Sequence, residues 1–412
     1  MTLEQDAALR TLVLAWYSHR SGADLAAEAV TIRRTEVLRP GRPGLLDLVA
    51  EIDGRLAHLV VGLRSVGDEP HFLRSGDELA LGLLEDDDGL AFCTDALHDA
   101  YLAPLLLATL RGVEPRPGRI SIVRDDEDGM VLDCGDRGDL TVFPWLADRT
   151  DPAVDLMVAL ERVGFNHVAA PLMRWQWDQH DLGLVQEPIA GRSSGWAVAL
   201  TSLRDLYASG GSPEAAGGDF GSEAQALGTM LARMHLAIDR AFGRHPEPVA
   251  EWVEMAEAEL RESEPLLLAA PDVTELLAQL RVADTKLPAI RTHGDFQLER
   301  TSRTDQGWVV SDFRPGGVLP SMFEPVPRSP LADVADLLWS LHQASTAAAA
   351  ERDPSGRLGL AKLGQAWESR NRRAMLSGYL GTPGIAGLTG PHRDLVGHLV
   401  GLFELARSVR PA

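Results

Sequence analysis

His293-Gly294-Asp295-Phe296-Gln297-Leu298-Glu299-Arg300, followed by Trp308-Val309-Val310-Ser311-Asp312-Phe313, is the stretch around which the rest of the chain is read. Its aspartates stand 17 residues apart, with Thr304-Asp305-Gln306-Gly307 as a turn between them. The run from Gly307 to Phe313 is rich in β-branched and aromatic residues, so a strand is expected there. The pattern predicts a loop carrying Asp295, a short hairpin, and a second loop carrying Asp312. Such a pair suits phosphoryl transfer from ATP to a hydroxyl. One carboxylate orients the hydroxyl and takes its proton, and the other holds the metal that bridges the phosphates. Turn aspartates are common in hairpins and would explain either motif alone; order and spacing together favour the catalytic pair.

Length and composition bound the rest. A chain of 412 residues, 45% apolar and 24% charged, is expected to form two or three globular domains. Its formal charge of −21 argues against nucleic acid or an anionic membrane as partner and favours a cationic co-substrate. An acidic ATP-binding protein must draw local positive potential from magnesium and a few arginines. Cys93 and Cys134 are too few for a disulfide framework and read as buried small hydrophobes, consistent with a reducing cytosol. The acidic start, Met1-Thr2-Leu3-Glu4-Gln5-Asp6, lacks a signal-peptide charge pattern, and the apolar run from Tyr101 to Leu110 is too short to span a bilayer. A cytoplasmic protein, monomeric or weakly dimeric, is the expectation.

Along the chain, residues 1–112 read as a mixed first domain. A helix over Leu9–Tyr17 precedes short strands, with Asp53-Gly54 as a hairpin turn and Glu85-Asp86-Asp87-Asp88-Gly89 as a solvated one. No chemistry is visible there. Residues 113–190 alternate short strands with turns around one helix opened by Asp151-Pro152, and end at Gln186-Glu187-Pro188. Residues 191–412 are mostly helical, including an amphipathic helix over Glu223–Arg240 with Leu227, Leu231 and Met234 on one face. His235 on that helix reads as a packed or capping histidine. Another helix starts at Ser329-Pro330-Leu331, with Asp333 in its first turn.

These residues resemble the aminoglycoside-phosphotransferase and choline-kinase group, and within it the actinobacterial maltokinases and their relatives. The resemblance rests on Gln186-Glu187, Gly195-Trp196-Ala197-Val198-Ala199-Leu200 with Arg204-Asp205-Leu206-Tyr207, Gly217-Gly218-Asp219-Phe220 and His293-Gly294-Asp295. Asp312-Phe313, Ser329 to Val334, Arg370-Asn371 and Phe403-Glu404-Leu405 extend it towards the C-terminus. It implies an α+β, bilobal protein-kinase-like fold of the aminoglycoside-phosphotransferase type. Residues 1–112 would be an N-terminal α/β cap, 113–190 an upper nucleotide-covering lobe and 191–412 a lower lobe with catalytic loop and acceptor site. It further implies Asp295 as the base, Asp312 as metal ligand, and a hinge at Gln186 and Glu187 that meets the adenine.

Three departures from the family are visible. Gln297 stands where a histidine is usual, and Arg300 where a metal-binding Asn or Gln is expected. Arginine has no acceptor lone pair, so Gln297, Glu299, or water and phosphate oxygens around Asp312 must complete the magnesium shell; Gln297 is favoured. Thr141 takes the place of the phosphate-binding lysine and Asp155 that of its partner, so Arg124, Arg137 or Arg149 would have to substitute. The glycine-rich phosphate loop is replaced by Asp125-Asp126-Glu127-Asp128, which would repel a triphosphate unless the acids point outward. Finally, Arg314-Pro315-Gly316-Gly317 follows Phe313 in place of an acidic continuation. That change is similar to the maltokinase-related glucosamine kinases, whose acceptor amine would want a carboxylate. Glu404 is the candidate carboxylate, Trp367 a candidate aromatic face for the sugar, and Arg300 and Arg314 candidate phosphate or loop contacts. The expected activity is magnesium-dependent phosphorylation of glucosamine by ATP, at the 6-hydroxyl. A maltose kinase and a catalytically silent pseudokinase are the alternatives.

Overall fold

The computed structural model describes residues 3–67, 79–115, 120–127, 129–189, 191–215, 219–313, 326–352 and 359–410. Helix α1 (Leu3–Ser21) buries Leu9, Leu12, Val13 and Trp16, which recur at helical steps on one face. That face covers a sheet built from β1 (Val30–Arg39), β2 (Gly44–Ile52), β3 (Arg55–Ser65), β4 (Ala80–Asp86) and β5 (Gly89–Asp95), in the antiparallel order β1-β2-β3-β5-β4. Strands β2 and β3 are buried almost throughout, joined by the Asp53-Gly54 turn. Helix α2 (Leu102–Leu110) follows, with Leu102 against Gly62 of β3.

A second antiparallel sheet comprises β6 (Ser121–Asp126), β7 (Gly129–Asp133) and β8 (Asp139–Val142), joined later by β10 and β11. Before those come β9 (Trp145–Leu146) and α3 (Pro152–Arg162); then β10 (Pro171–Trp177) and β11 (His180–Gln186) complete the order β10-β11-β8-β7-β6. Strand β9 departs from its neighbours and pairs with β3 of the first sheet. The buried His58 ring bridges Asp47 and the Phe143 carbonyl through its two nitrogens, at 2.8 and 3.0 Å. These ties place the described residues of Met1–Val154 and Pro171–Ala190 in one compact unit. The expected division at 112/113 therefore does not separate two bodies, because a strand and a buried polar bridge cross it.

The other unit holds the described residues of Asp155–Ala170, Gly191–Gly316 and Glu324–Ala412. Its elements are β12 (Ser193–Ser194), α4 (Gly195–Ser209), α5 (Gly221–Phe242), β13 (His245–Pro248), α6 (Val249–Ser263), α7 (Pro271–Arg281), β14 (Lys286–Ala289), β15 (Thr301–Thr304) and β16 (Gly307–Val310). Four helices follow: α8 (Leu331–Arg352), α9 (Leu360–Leu380), α10 (Ala386–Thr389) and α11 (Arg393–Ser408). Helices α5 and α9 meet closely at Gly228 and Gly378: a Cβ on either glycine would fall 2.0 Å from a backbone oxygen of the other helix. Strand β1 and helices α6 and α7 are elements that the sequence reading does not anticipate. Ahead of β10, Val168 makes an isolated parallel bridge to Val310.

Candidate active site

The loop after β14 carries His293, Gly294 and Asp295 and ends in a single turn over Leu298–Arg300. The β15–β16 hairpin then pairs Thr301 with Val310 and Thr304 with Gly307, reversing the chain. The reversal returns Asp312 to the first loop. Ser311 donates its N–H to the Arg300 carbonyl at 2.8 Å, and His293 Nε2 lies 2.7 Å from the Asp312 carbonyl. The expected loop, hairpin and loop are all present.

Asp333, in the first turn of α8, fixes this loop from beneath. Fully buried, it accepts the N–H groups of His293 and Gly294 at 2.8 and 2.9 Å, and His235 Nε2 lies 3.0 Å away. Tyr379 in turn meets His235 Nδ1 at 2.8 Å. Burial works against the charged form of Asp333. The hydrogen bond and charge of His235, with His293 and the Gly294 N–H, outweigh it and hold the carboxyl below its usual range. Burial pushes His293 down, favouring the neutral ring. Gly294 has φ of +90°, a conformation open to glycine and costly for other residues, which lets two successive N–H groups reach one carboxylate. His235 is thus the packed histidine expected, and it serves Asp333.

Above that support, one guanidinium spans the two aspartates. Arg300 Nη1 donates to Asp312 Oδ2 at 2.7 Å and Nη2 to Asp295 Oδ2 at 3.1 Å. Gln297 turns its amide nitrogen onto Asp295 Oδ1. Arg407 of α11 lies behind, its Nη2 3.5 Å from Asp295 Oδ1 and its Nε 3.6 Å from Asp336 Oδ1. Burial, together with the Asp333 charge, pushes Asp336 up to about 8, against the opposing pull of Arg407 and Arg410. The two loops thus bring Asp295, Gln297, Arg300 and Asp312 together. Arg407, Asp333 and Asp336 complete the cluster unforeseen. Asp333 had a local signal, an acid in the first turn after Ser329-Pro330. Arg407 had none, since only the fold brings α11 to this loop.

Other expected residues stand elsewhere. Trp367 is 1% exposed, with its indole stacked on Phe220 at 5.6 Å and its N–H donated to Ser202. This corrects the expectation of a sugar-facing ring: Trp367 belongs to the core. Glu404 has both carboxylate oxygens on Arg372, at 2.5 and 2.6 Å. A substrate ammonium would have to compete with that bidentate pair. Gln186 ends β11 opposite Asp139, and Glu187 follows it, exposed. Arg314, Gly217, Gly218 and Asp128 lie outside the described residues. Thr141 is buried in the middle of its sheet, Arg124 lies beside Asp126, and Arg137 donates to the Cys134 carbonyl. Asp125 does not face open solvent as a bare charge. Arg20 Nη1 lies 3.0 Å from it and His98 Nε2 2.9 Å, with Asp95 3.2 Å from the other His98 nitrogen.

Among the described residues no three His, Cys, Asp or Glu side chains are placed to hold a metal alone. What the loop does offer is oxygen, from the Asp312 carboxylate and the Gln297 amide. That chemistry fits one magnesium ion that keeps waters and shares phosphate oxygens.

No family model matches the chain. It is similar to the glucosamine kinase of Mycolicibacterium smegmatis, at 26% identity over 252 residues; the match spans 57% of this chain and 59% of that enzyme's length. A solved glucosamine kinase in complex with glucosamine, ADP and inorganic phosphate superposes with a TM-score of 0.63 at 21% identity, covering 92% of this chain and 88% of the other. A further crystal form of glucosamine kinase gives 0.66 at 20% identity, over 98% and 92%. The fold of this chain is therefore the mixed, kinase-like fold of those structures.

Proposed function

We propose that this chain is an ATP- and magnesium-dependent kinase that phosphorylates glucosamine, at the 6-hydroxyl. The observation that carries the reading is the convergence of Asp295 and Asp312 on one guanidinium, 17 residues apart in sequence and joined by a hairpin. The similarity to the mycobacterial enzyme supports glucosamine as acceptor.

In this reading Asp295 orients the acceptor hydroxyl and takes its proton as the oxygen attacks phosphorus. Gln297 and Arg407, both on Asp295 Oδ1, restrain its rotation, while Arg300 restrains Oδ2. The aspartate would then meet the hydroxyl in a fixed orientation, and little reorganisation would be needed. Asp312, with Gln297, would hold magnesium, which neutralises phosphate charge when bound. We assign the adenine contacts to the backbone at Gln186 and Glu187, and assign the chain to the cytoplasm.

The test is ADP release with ATP and magnesium across glucosamine, glucose, N-acetylglucosamine, maltose and kanamycin. Turnover on glucosamine, lowered at least about 100-fold by Asp295→Asn, is the expected result. Turnover on maltose alone would overturn the acceptor. Silence on every sugar from a folded protein would favour the pseudokinase reading, to which Arg300 at a metal-ligand position lends its weight.

A further inference from the structure

The contact between Arg300 and both aspartates has a consequence for the metal. Kinases of this broad fold hold two magnesium ions, one set of ligands coming from the aspartate after the hairpin and another from an amide side chain of the catalytic loop. Here the catalytic-loop position is Arg300, whose guanidinium carries donors only and stays protonated. We propose that Arg300 is a built-in cation that replaces the second metal, so that this chain works with one divalent ion. The inference rests on the kinase reading above and deepens it.

Three observations carry it. Arg300 is already where a bridging cation would act, on Oδ2 of Asp312 and Oδ2 of Asp295 together. Its placement is built, since its N–H bonds the Gln297 carbonyl at 3.0 Å and its own carbonyl accepts from Ser311. The backbone of Arg300 is thereby stitched to the loop of Asp295 on one side and to the segment of Asp312 on the other. Its side chain is only 17% exposed, so the charge is poorly screened. A second divalent ion beside it would meet a fixed positive charge and two carboxylates already engaged.

The cations of this chain are almost all arginines. It has just two lysines, Lys286 on β14 and Lys362 on α9, both exposed. Phosphate charge must be met by magnesium and by guanidinium groups. Arg300 supplies one that cannot be lost to chelation or to pH. A single-ion enzyme of this kind would show no inhibitory or activating second metal step.

The test counts metal ions. Mn2+ is titrated into the protein with a non-hydrolysable β,γ-imido ATP analogue, and bound ion is read by electron paramagnetic resonance. Wild type and Arg300→Lys are expected to bind one ion per chain, and Arg300→Asn two, with circular dichroism confirming its fold. Two ions in wild type, or one in folded Arg300→Asn, would overturn the proposal. Should Arg300→Asn not fold, the wild-type and Arg300→Lys counts still decide, because a second ion in either contradicts a built-in cation. One bound ion without turnover on any sugar would leave this inference standing while removing the acceptor assignment. No ion in any of the proteins would overturn both.

Discussion

Asp336 sits one helical turn beyond Asp333 on α8, and the two buried carboxyls have opposite fates. Asp333 has three donors and stays charged below its usual range. Asp336 has the 3.6 Å approach of Arg407 and the charge of Arg410, and burial beside Asp333 outweighs both and pushes it to about 8. The linkage sign follows from the protons bound. Between the usual carboxylate pKa of 3.8 and about 8, the unfolded chain is ionised while the folded chain keeps its proton. Folding therefore loses stability as pH rises across that window. Asp336→Asn, which has no proton to lose, is expected to be more stable than wild type by about 1–3 kcal/mol at pH near 8. The gain should shrink to nothing near pH 4 in denaturant melts. A variant less stable at every pH would show instead that Asp336 is ionised and needed by Arg407. At this scale the legible residues were those whose chemistry is local. Asp295 and Asp312 announce themselves by sequence spacing, whereas Glu404 is met by Arg372, 32 positions away in the chain, and Trp367 by Phe220 and Ser202. No local pattern encodes those partners.

Elements owe their positions to two kinds of close contact. The α5–α9 crossing depends on Gly228 and Gly378, with no room for a side chain against the opposing backbone. Gly378→Ala is expected to cost about 1–3 kcal/mol through forced helix separation, read as a lower denaturant midpoint. An unchanged midpoint would show that the helices separate freely. The β6–β7 hairpin is held differently, by charge. His98 lies between Asp125 and Asp95, whose hydrogen bonds raise it to about 10, and Arg20 of α1 joins from the other side with Asp126 and Glu127 nearby. A histidine raised in the folded state contributes fully below its unfolded pKa of 6.5 and loses that contribution as pH climbs through about 10. His98→Gln should thus cost about 1–2 kcal/mol near pH 6, after allowing for partial exposure, and almost nothing above pH 10. A cost independent of pH would assign His98 to packing alone. Legibility at this scale followed periodicity. α5 and the Asp53-Gly54 hairpin were plain, while α6, with Val249, Trp252, Val253, Ala256 and Leu260 buried at helical steps, carried a readable stripe that the sequence reading does not use. Strand β1 was harder, because one face of it is exposed and charged, with burial alternating irregularly.

For the whole molecule, the dominant physical fact is a formal charge of −21. It was legible from composition alone; the division into two compact units was not, because β9 and the His58 bridge are long-range events. A field of that sign acts at distances beyond the reach of single arginines, and salt screens it over a Debye length of about 10 Å at ~0.1 M. If the chain is the proposed glucosamine kinase, that field should repel the magnesium–ATP anion and attract glucosamine while its amine is protonated. Arg300 and Arg407 oppose the repulsion only at contact, where both are already engaged by carboxylates. Raising ionic strength from about 0.02 to about 0.3 M is therefore expected to increase kcat/KM for ATP and to decrease it for glucosamine, each by roughly two- to threefold. Glucose, with the same ring and no charge, should show no salt dependence of its own if the enzyme turns it over. Equal responses for glucosamine and glucose would mean that the amine is not recognised as a cation, and would point to recognition by hydrogen bonds alone. A fall for ATP would mean that positive charge at the nucleotide outweighs the net field. Under the proposed function the two substrates carry opposite charge, so their opposite salt slopes test the field itself independently of any single residue.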